Sequence, residues 1–208
     1  MHPLSQETIA SLLQPYMGSA VSEAPSDLFA KLSAYLDLLV KWNARTNLTA
    51  IRDPEEMVRR HFGESLFAAR HLDANTATLL DFGSGAGFPG LPIALFHARM
   101  QVTLAESQNK KATFLREVVR TLGLTVEVHA GRVEQLPTAR RFDTVTLRAV
   151  DNMAEALRVA EPRATGHLVL LTTTGQPAPV LPAFALAAPI FMPASSNQCL
   201  LIASRLRW

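Results

Sequence analysis

A chain of 208 residues with 48% hydrophobic and 18% charged residues can bury enough apolar surface for one sizeable α/β domain, which excludes wholesale disorder. Its single cysteine, Cys199, excludes an internal disulfide and a cysteine-rich zinc site, so no metal is expected. The formal net charge of +2 is too small to announce a nucleic-acid binder by field strength alone. The opening Met1-His2-Pro3-Leu4-Ser5-Gln6 lacks the basic start and apolar run of a signal peptide. No apolar stretch nears the ~20 residues of a bilayer crossing, so the chain reads as soluble, reduced and cytoplasmic, with no membrane partner. After Glu161 there is no acid, only Arg163, Arg205 and Arg207. Guanidinium groups suit phosphate and base-edge contacts, and a solvated surface explains most of these arginines equally well.

In chain order, the first third reads as helices. Ser5 caps a short segment through Gln14, ended by Pro15 and Gly18. Ser26 starts a longer one, with Leu28, Leu32, Tyr35, Leu36 and Leu39 at three- and four-residue spacing. Asp53-Pro54-Glu55-Glu56 combines an N-cap acid, a proline at the first helical position and a capping-box glutamate, and starts a third helix running to about His71. Residues 1–72 are therefore expected to form a helical cap, and 73–208 the core.

From Thr78 the pattern changes to alternation. Short apolar strands are expected at Thr78–Phe82, Gln101–Ala105, Thr125–His129, Phe142–Leu147 and His167–Leu171. Helices are expected between them at Pro89–Arg99, Asn109–Leu122 and Met153–Ala160. This rhythm means βαβ units and a mainly parallel sheet with helices on both faces. The prolines at 177, 179, 182, 189 and 193 forbid a long helix in the tail, where Phe184–Phe191 and Gln198–Arg205 are expected to pair as an antiparallel hairpin. The expected sheet has seven strands.

The informative stretch is Asp81-Phe82-Gly83-Ser84-Gly85-Ala86-Gly87-Phe88-Pro89-Gly90. Alternating glycines at the carboxyl end of a strand let the backbone turn sharply and approach a ligand closely. Asp81, two residues before the first glycine, is expected to point at the same crevice. Glu106, ending the next strand, would reach a ribose, whose hydroxyls are donors for a carboxylate. Two ligand classes compete for this pair. Gly85-Ala86-Gly87-Phe88-Pro89-Gly90 matches the dinucleotide pattern GxGxxG, as in an NAD-dependent oxidoreductase. The order Asp81, Gly83, Gly85, Gly87 is the acid-led pattern of S-adenosylmethionine-binding folds. For an adenosyl ligand, Val133 and Glu134 after the third strand would read the adenine ring. Arg148, at the end of the fourth strand, would meet the acceptor, because a guanidinium between Leu147 and Ala149 is costly unless it faces a cleft or a partner.

Methyl transfer from a sulfonium is an in-line displacement, helped mainly by alignment and desolvation. A pyrimidine carbon needs a thiol nucleophile, and Cys199 lies far from the expected cleft. An exocyclic amine is usually served by an Asn/Asp-Pro-Pro-aromatic loop, where this chain has Arg148-Ala149-Val150-Asp151. A ring nitrogen with an in-plane lone pair, such as guanine N7, needs no base, and Arg148 could bond O6 beside it.

Taken together, these residues resemble the family of small-subunit ribosomal RNA methyltransferase G, the bacterial glucose-inhibited division protein B. The resemblance is carried by Trp42 to Ile51 with its Asn47-Leu48-Thr49 core, Arg60-His61-Phe62, Glu64-Ser65-Leu66, Asp81 to Gly90, Asn109 to Leu115, Arg132-Val133-Glu134 and Arg148-Ala149-Val150. It runs from about Leu39 to Val150. It implies a Rossmann-like methyltransferase fold, S-adenosylmethionine as cofactor, and N7-methylation of a guanosine in 16S rRNA of the small ribosomal subunit. It places cofactor contacts on Gly83, Phe88, Val133, Glu134 and Arg148, with Glu106 at the ribose; the acid-led glycine loop adds Asp81, Gly85 and Gly87 to the cofactor-binding candidates. Arg148 is the one catalytic candidate, as a positioning group. Arg45, Asn47, Arg60 and His61 become candidates for RNA contact, with a salt-bridged helix surface as the competing reading; Asn43 and Asn47 could instead pin the turn after the second helix. The chain is expected to act as a monomer. It departs from the family at Thr174 before Gly175, where a lysine is usual, at Asp151, and along the proline-rich tail.

Overall fold

The computed structural model describes residues 4–150 and 152–206; Met1 to Pro3, Asp151 and Arg207 to Trp208 lie outside the described residues. Five parallel strands form the core of the sheet: β1 (Thr78–Phe82), β2 (Gln101–Glu106), β3 (Glu127–Ala130), β4 (Phe142–Arg148) and β5 (Ala164–Thr173). β8 (Gln198–Arg205) adds to β5 antiparallel, and β6 (Phe184–Leu186) and β7 (Ile190–Phe191) both pair with β8. The order is β3-β2-β1-β4-β5-β8-β6, with β7 off the path. The strand order therefore reverses between β1 and β4, the place where doubly wound sheets bind ligands.

Among the described residues the sheet has eight strands rather than seven. The segment 184–191 breaks around Pro189, which has no N–H for the ladder, so one expected strand becomes two short ones. The first helix also differs. α1 (Gln6–Met17), capped by Ser5, passes Pro15 and ends at Gly18 (φ 54°), because burial of Tyr16 and Met17 carries the last turn inward. The helix after β1, α5 (Gly90–Phe96), is shorter at both ends than expected, with His97 tied to Ala69 O at 3.0 Å. α6 (Asn109–Thr121) and α7 (Met153–Ala160) fall within a residue of their expected ranges.

In the cap, α2 (Leu28–Thr46) ends on Asn47 in the left-handed region (φ 48°). Asp53 caps the next helix, its side chain accepting from Glu56 N at 2.8 Å. That helix is not uniform: α3 (Pro54–Met57) widens into a π turn at Val58–Gly63 before α4 (Glu64–Arg70). Single π turns concentrate at functional sites.

Adjacent strand residues point to opposite faces of the sheet, and each face has its own core. On one face Leu79 and Leu104 pack with α5, α6 and the cap, through Leu91, Leu115, Leu13, Leu32 and Phe62. On the other, Leu80, Val145, Leu147 and Leu170 pack with Leu157 and Ala160 of α7. The cap helices thus bury their apolar stripes in the same cluster as the sheet. Phe62 stands edge-on to Tyr35 and Phe88, with centroids 5.0 and 5.1 Å away. Phe62→Ala should cost about 3–5 kcal/mol in denaturant unfolding. Amide exchange of the cap helices and of β1 should accelerate together; cap amides exchanging faster with β1 unchanged would contradict a shared core.

Candidate active site

A cleft of about 320 Å³ opens at the carboxyl ends of β1, β2 and β4, within the range of small-molecule sites. One wall is Gly131 to Glu134, leading into the 3-10 turn Val133–Gln135, and the other is Val150 with Asn152, Glu155, Ala156 and Val159 of the α7 region. Phe82, Gly83, Ala105 and Ser107 close its inner end. Gly83 (φ 69°) and Gly85 (φ 58°) adopt left-handed backbone, and a Cβ on Gly83 would meet nothing within 4 Å, one on Gly85 only Gly83 O at 3.9 Å. The loop is therefore open on the side that a ligand would approach.

Glu106 lies against this loop. Its Oε2 accepts from Gly85 N at 2.9 Å and its Oε1 from Gln108 N at 2.7 Å, while Ser84 N donates to Ala105 O at 3.0 Å. The bend closing β1 and the carboxylate closing β2 are thus in direct contact. A carboxylate has about four lone-pair sites, so acceptor capacity remains for further donors.

Of the nine expected cofactor contacts, Gly83, Val133 and Glu134 line the cleft and Gly85 and Glu106 lie beside Gly83, while Asp81, Gly87, Phe88 and Arg148 lie elsewhere. Asp81 is buried, its Oδ2 accepting from Gly90 N at 3.1 Å and its Oδ1 from Thr146 Oγ1 at 2.9 Å, across the β1–β4 register. Its carboxylate anchors the end of the loop instead of pointing into the crevice, and burial pushes its pKa up to about 6. Gly87 is a glycine for packing: a Cβ there would stand 2.4 Å from Tyr35 Oη. Phe88 is sandwiched between Tyr35 and His61, with centroids 5.3 and 4.8 Å away, and Tyr35 Oη donates to Ala86 O. The second half of the loop is therefore locked onto the cap by aromatic stacking. The same facts remove the dinucleotide reading. Its second glycine, which must admit a pyrophosphate, lies under Tyr35, and Gly90 N at the helix start is already bound to Asp81.

Arg148, at the end of β4, reaches into the cap. Its NH2 donates to Glu64 Oε2 and to the Arg60 carbonyl, both at 2.8 Å, and its NH1 lies 3.1 Å from His61 Nδ1. Glu64, 3% exposed, also accepts from Arg60 Nε at 2.7 Å. Burial lowers the Arg148 pKa from its usual value, and Glu64 pulls it back. The residue after it, Ala149, is left-handed (φ 50°), an uncommon conformation for a residue with a Cβ.

His61 continues the network. Its Nε2 is 2.8 Å from Thr49 Oγ1, and Thr49 N donates to Asn43 Oδ1 at 2.9 Å. With Arg148 donating to Nδ1, the proton belongs on Nε2. The Asn-Leu-Thr segment, the Arg-His-Phe segment and the Arg-Ala-Val segment are therefore one hydrogen-bonded assembly. Burial excludes His61 from RNA-backbone contact, contrary to expectation; Arg45 and Asn47 are exposed, and Arg60 is partly so. Asn43 does pin the turn, with its Nδ2 donating to Ile51 O, and Asn47 accepts from Arg52. Arg59 pairs with Glu55 at 2.9 Å, as a salt-bridged helix surface would. Sequence reasoning missed the inward face of Glu64, which sits among Phe62, Ser65 and Leu66, all buried.

His61 and Asp81 respond oppositely to acid. Burial first, then Arg148 and Arg60, bring the His61 pKa from 6.5 down to about 3, so below pH 6.5 the unfolded chain takes a proton that the folded chain refuses, and stability falls with pH. Asp81, raised from 3.8 to about 6, adds stability as pH falls through that window. The stability advantage of the wild-type chain over His61→Asn, read from urea midpoints, should narrow as pH falls from about 7 to about 4. A constant gap would mean that His61 is not held neutral.

A family model for rRNA small subunit methyltransferase G matches residues 28–177. A ribosomal RNA small subunit methyltransferase G from Stenotrophomonas maltophilia (strain K279a) is 44% identical over 169 residues, which is 81% of this chain and 75% of that protein. One from Xylella fastidiosa (strain M23) is 44% identical over 167 residues, covering 80% and 74%. Among solved structures, TrmN from Thermus thermophilus superposes with a TM-score of 0.57 at 20% identity, over 72% of this chain and 53% of that one, a likeness of fold alone. The match extends past both ends of the segment that carries the resemblance in sequence, from the start of α2 to beyond β5. On these grounds the chain belongs to the rRNA small subunit methyltransferase G family.

Proposed function

We propose that the crevice binds S-adenosylmethionine and that this chain methylates N7 of a guanosine in the 16S rRNA of the small ribosomal subunit. The observation that carries the reading is the open bend at Gly83 and Gly85 in contact with the Glu106 carboxylate, at the point where the strand order reverses. The residues present fit the cofactor: a cradle without side chains, an acidic group beside it and a cleft wall at Val133 and Glu134. Gly83 and Gly85 would hold it through backbone, Glu106 would accept from the ribose, and Val133 and Glu134 would face the adenine. When bound, S-adenosylmethionine supplies an electrophilic methyl group on a sulfonium.

The acceptor side belongs to Arg148. Three of the guanidinium's five N–H donors are engaged, leaving Nε and one hydrogen of NH1 for a carbonyl oxygen such as guanine O6. Fixed by Glu64 and His61, it would orient the base without taking a proton. N7 carries an in-plane lone pair, so alignment and exclusion of water suffice. Residues 1–72 form the RNA side in this reading, with Arg45, Asn47 and Arg60 meeting the nucleic acid. The described residues contain no helix long and apolar enough to cross a membrane, and a ribosomal substrate is in keeping with a cytoplasmic protein.

Small subunits from a strain lacking the enzyme, incubated with the purified chain and tritiated S-adenosylmethionine, should take label into 16S rRNA. Borohydride and aniline should then cleave the RNA at the labelled nucleotide, because N7-methylation weakens the glycosidic bond. Unlabelled RNA, or label without cleavage, overturns the assignment.

A further inference from the structure

Arg163 ends the 3-10 turn Glu161–Arg163 that follows α7, and it is only 6% exposed. Its guanidinium donates to backbone carbonyls: NH2 to Leu136 at 3.0 Å and Val133 at 3.4 Å, NH1 to Pro137 and to Arg140 at 3.3 Å. None of the ion pairs among the described residues includes it. All four acceptors belong to the segment Val133 to Arg140, whose first residues form one wall of the crevice. Arg163 itself is fixed to α7, whose Glu155, Ala156 and Val159 form the other wall. Arg205 grips the same turn from β8, donating to Glu161 O at 2.8 Å and Ala164 O at 2.9 Å, with its guanidinium 4.8 Å from the Phe184 ring centroid. Two arginines of the acid-free tail are therefore internal braces, not a solvated or RNA-facing surface.

We infer that Arg163 is a positioning residue for the adenosine of the methyl donor, holding the Val133 turn at a fixed distance from α7. The inference rests on the adenosyl reading of the crevice given above. A planar ring between two walls is bound in proportion to how well their spacing is preset. Only a guanidinium, with five donors in a rigid fork, spans four carbonyls of one turn; an ammonium is a compact point charge on a flexible stem. Without the fork, buried carbonyls at Val133 and Leu136 lose a partner and the turn relaxes toward water. The wall then widens without any change at Arg148 or in the cap.

The test is calorimetric titration of the full chain with S-adenosylhomocysteine for wild type, Arg163→Met, Arg163→Lys and Leu200→Ala, with melting temperatures alongside. Leu200 is buried in β8 in a separate cluster with Val169 and Leu171, away from the crevice lining, and serves as a stability control. Arg163→Met should weaken binding by roughly tenfold or more, and Arg163→Lys by less. The KM for S-adenosylmethionine should rise in step, with kcat at saturating donor and the KM for RNA unchanged. Leu200→Ala should melt earlier with wild-type affinity. Wild-type affinity in both Arg163 variants, or in Arg163→Lys alone where Arg163→Met does not fold, overturns the inference. So does a loss in Leu200→Ala equal to that in Arg163→Met at equal loss of melting temperature. A wild-type chain that does not bind the ligand overturns the adenosyl reading itself.

Discussion

The buried pairing of Arg148 with Glu64 joins the two parts of this fold at the carboxyl end of β4. A guanidinium and a carboxylate removed from water are tolerated only when their charges and hydrogen-bonding groups find partners. Here Glu64 receives Arg148 and Arg60, and Arg148 also reaches a backbone carbonyl and a neutral histidine. The pair therefore fixes the π turn and α4 over the end of β4. Hydrophobic burial brings cap and sheet together without direction; this contact sets their register.

A second constraint runs through the glycine loop. Its first half is left open, with no side chain above Gly83 and with Glu106 below Gly85. Its second half is anchored by Asp81 to Gly90 and covered by the stack Tyr35–Phe88–His61. His61 belongs to both assemblies, because one face packs on Phe88 while its nitrogens bridge Thr49 and Arg148. The glycine loop and the Arg148 guanidinium are thus held by one imidazole, and protonating that ring would remove the acceptor for Arg148.

Much of this was legible in the residues. The change from helical spacing to strand alternation at Thr78 predicts the doubly wound sheet, and the Asp53-Pro54 start of the third helix falls where its cap geometry places it. The pairing of the glycine bend with Glu106 follows from both ending neighbouring parallel strands. What spacing could not show was which side of a helix or strand a charged residue faces. Glu64 and Arg60 are four apart and pair as a surface couple would, yet the partner that draws Glu64 inward is 84 residues away. Asp81 and Gly87 match a ligand-binding pattern while serving the packing around it, because the same residue types solve both problems. Arg163 looked like a surface charge for the same reason: its partners are carbonyls, which any sequence supplies.

Arg148 and Glu64 act as one unit tying cap to sheet. A double-mutant cycle on Arg148→Met and Glu64→Gln, read by urea unfolding at pH 7, measures it directly. Each single variant should lose about 3–5 kcal/mol, since each strands a buried partner. The double variant should lose less than the sum of the two, with a coupling of about 2–3 kcal/mol. Losses that add to within about 0.5 kcal/mol would mean that the two residues act independently and that their pairing does not tie cap to sheet.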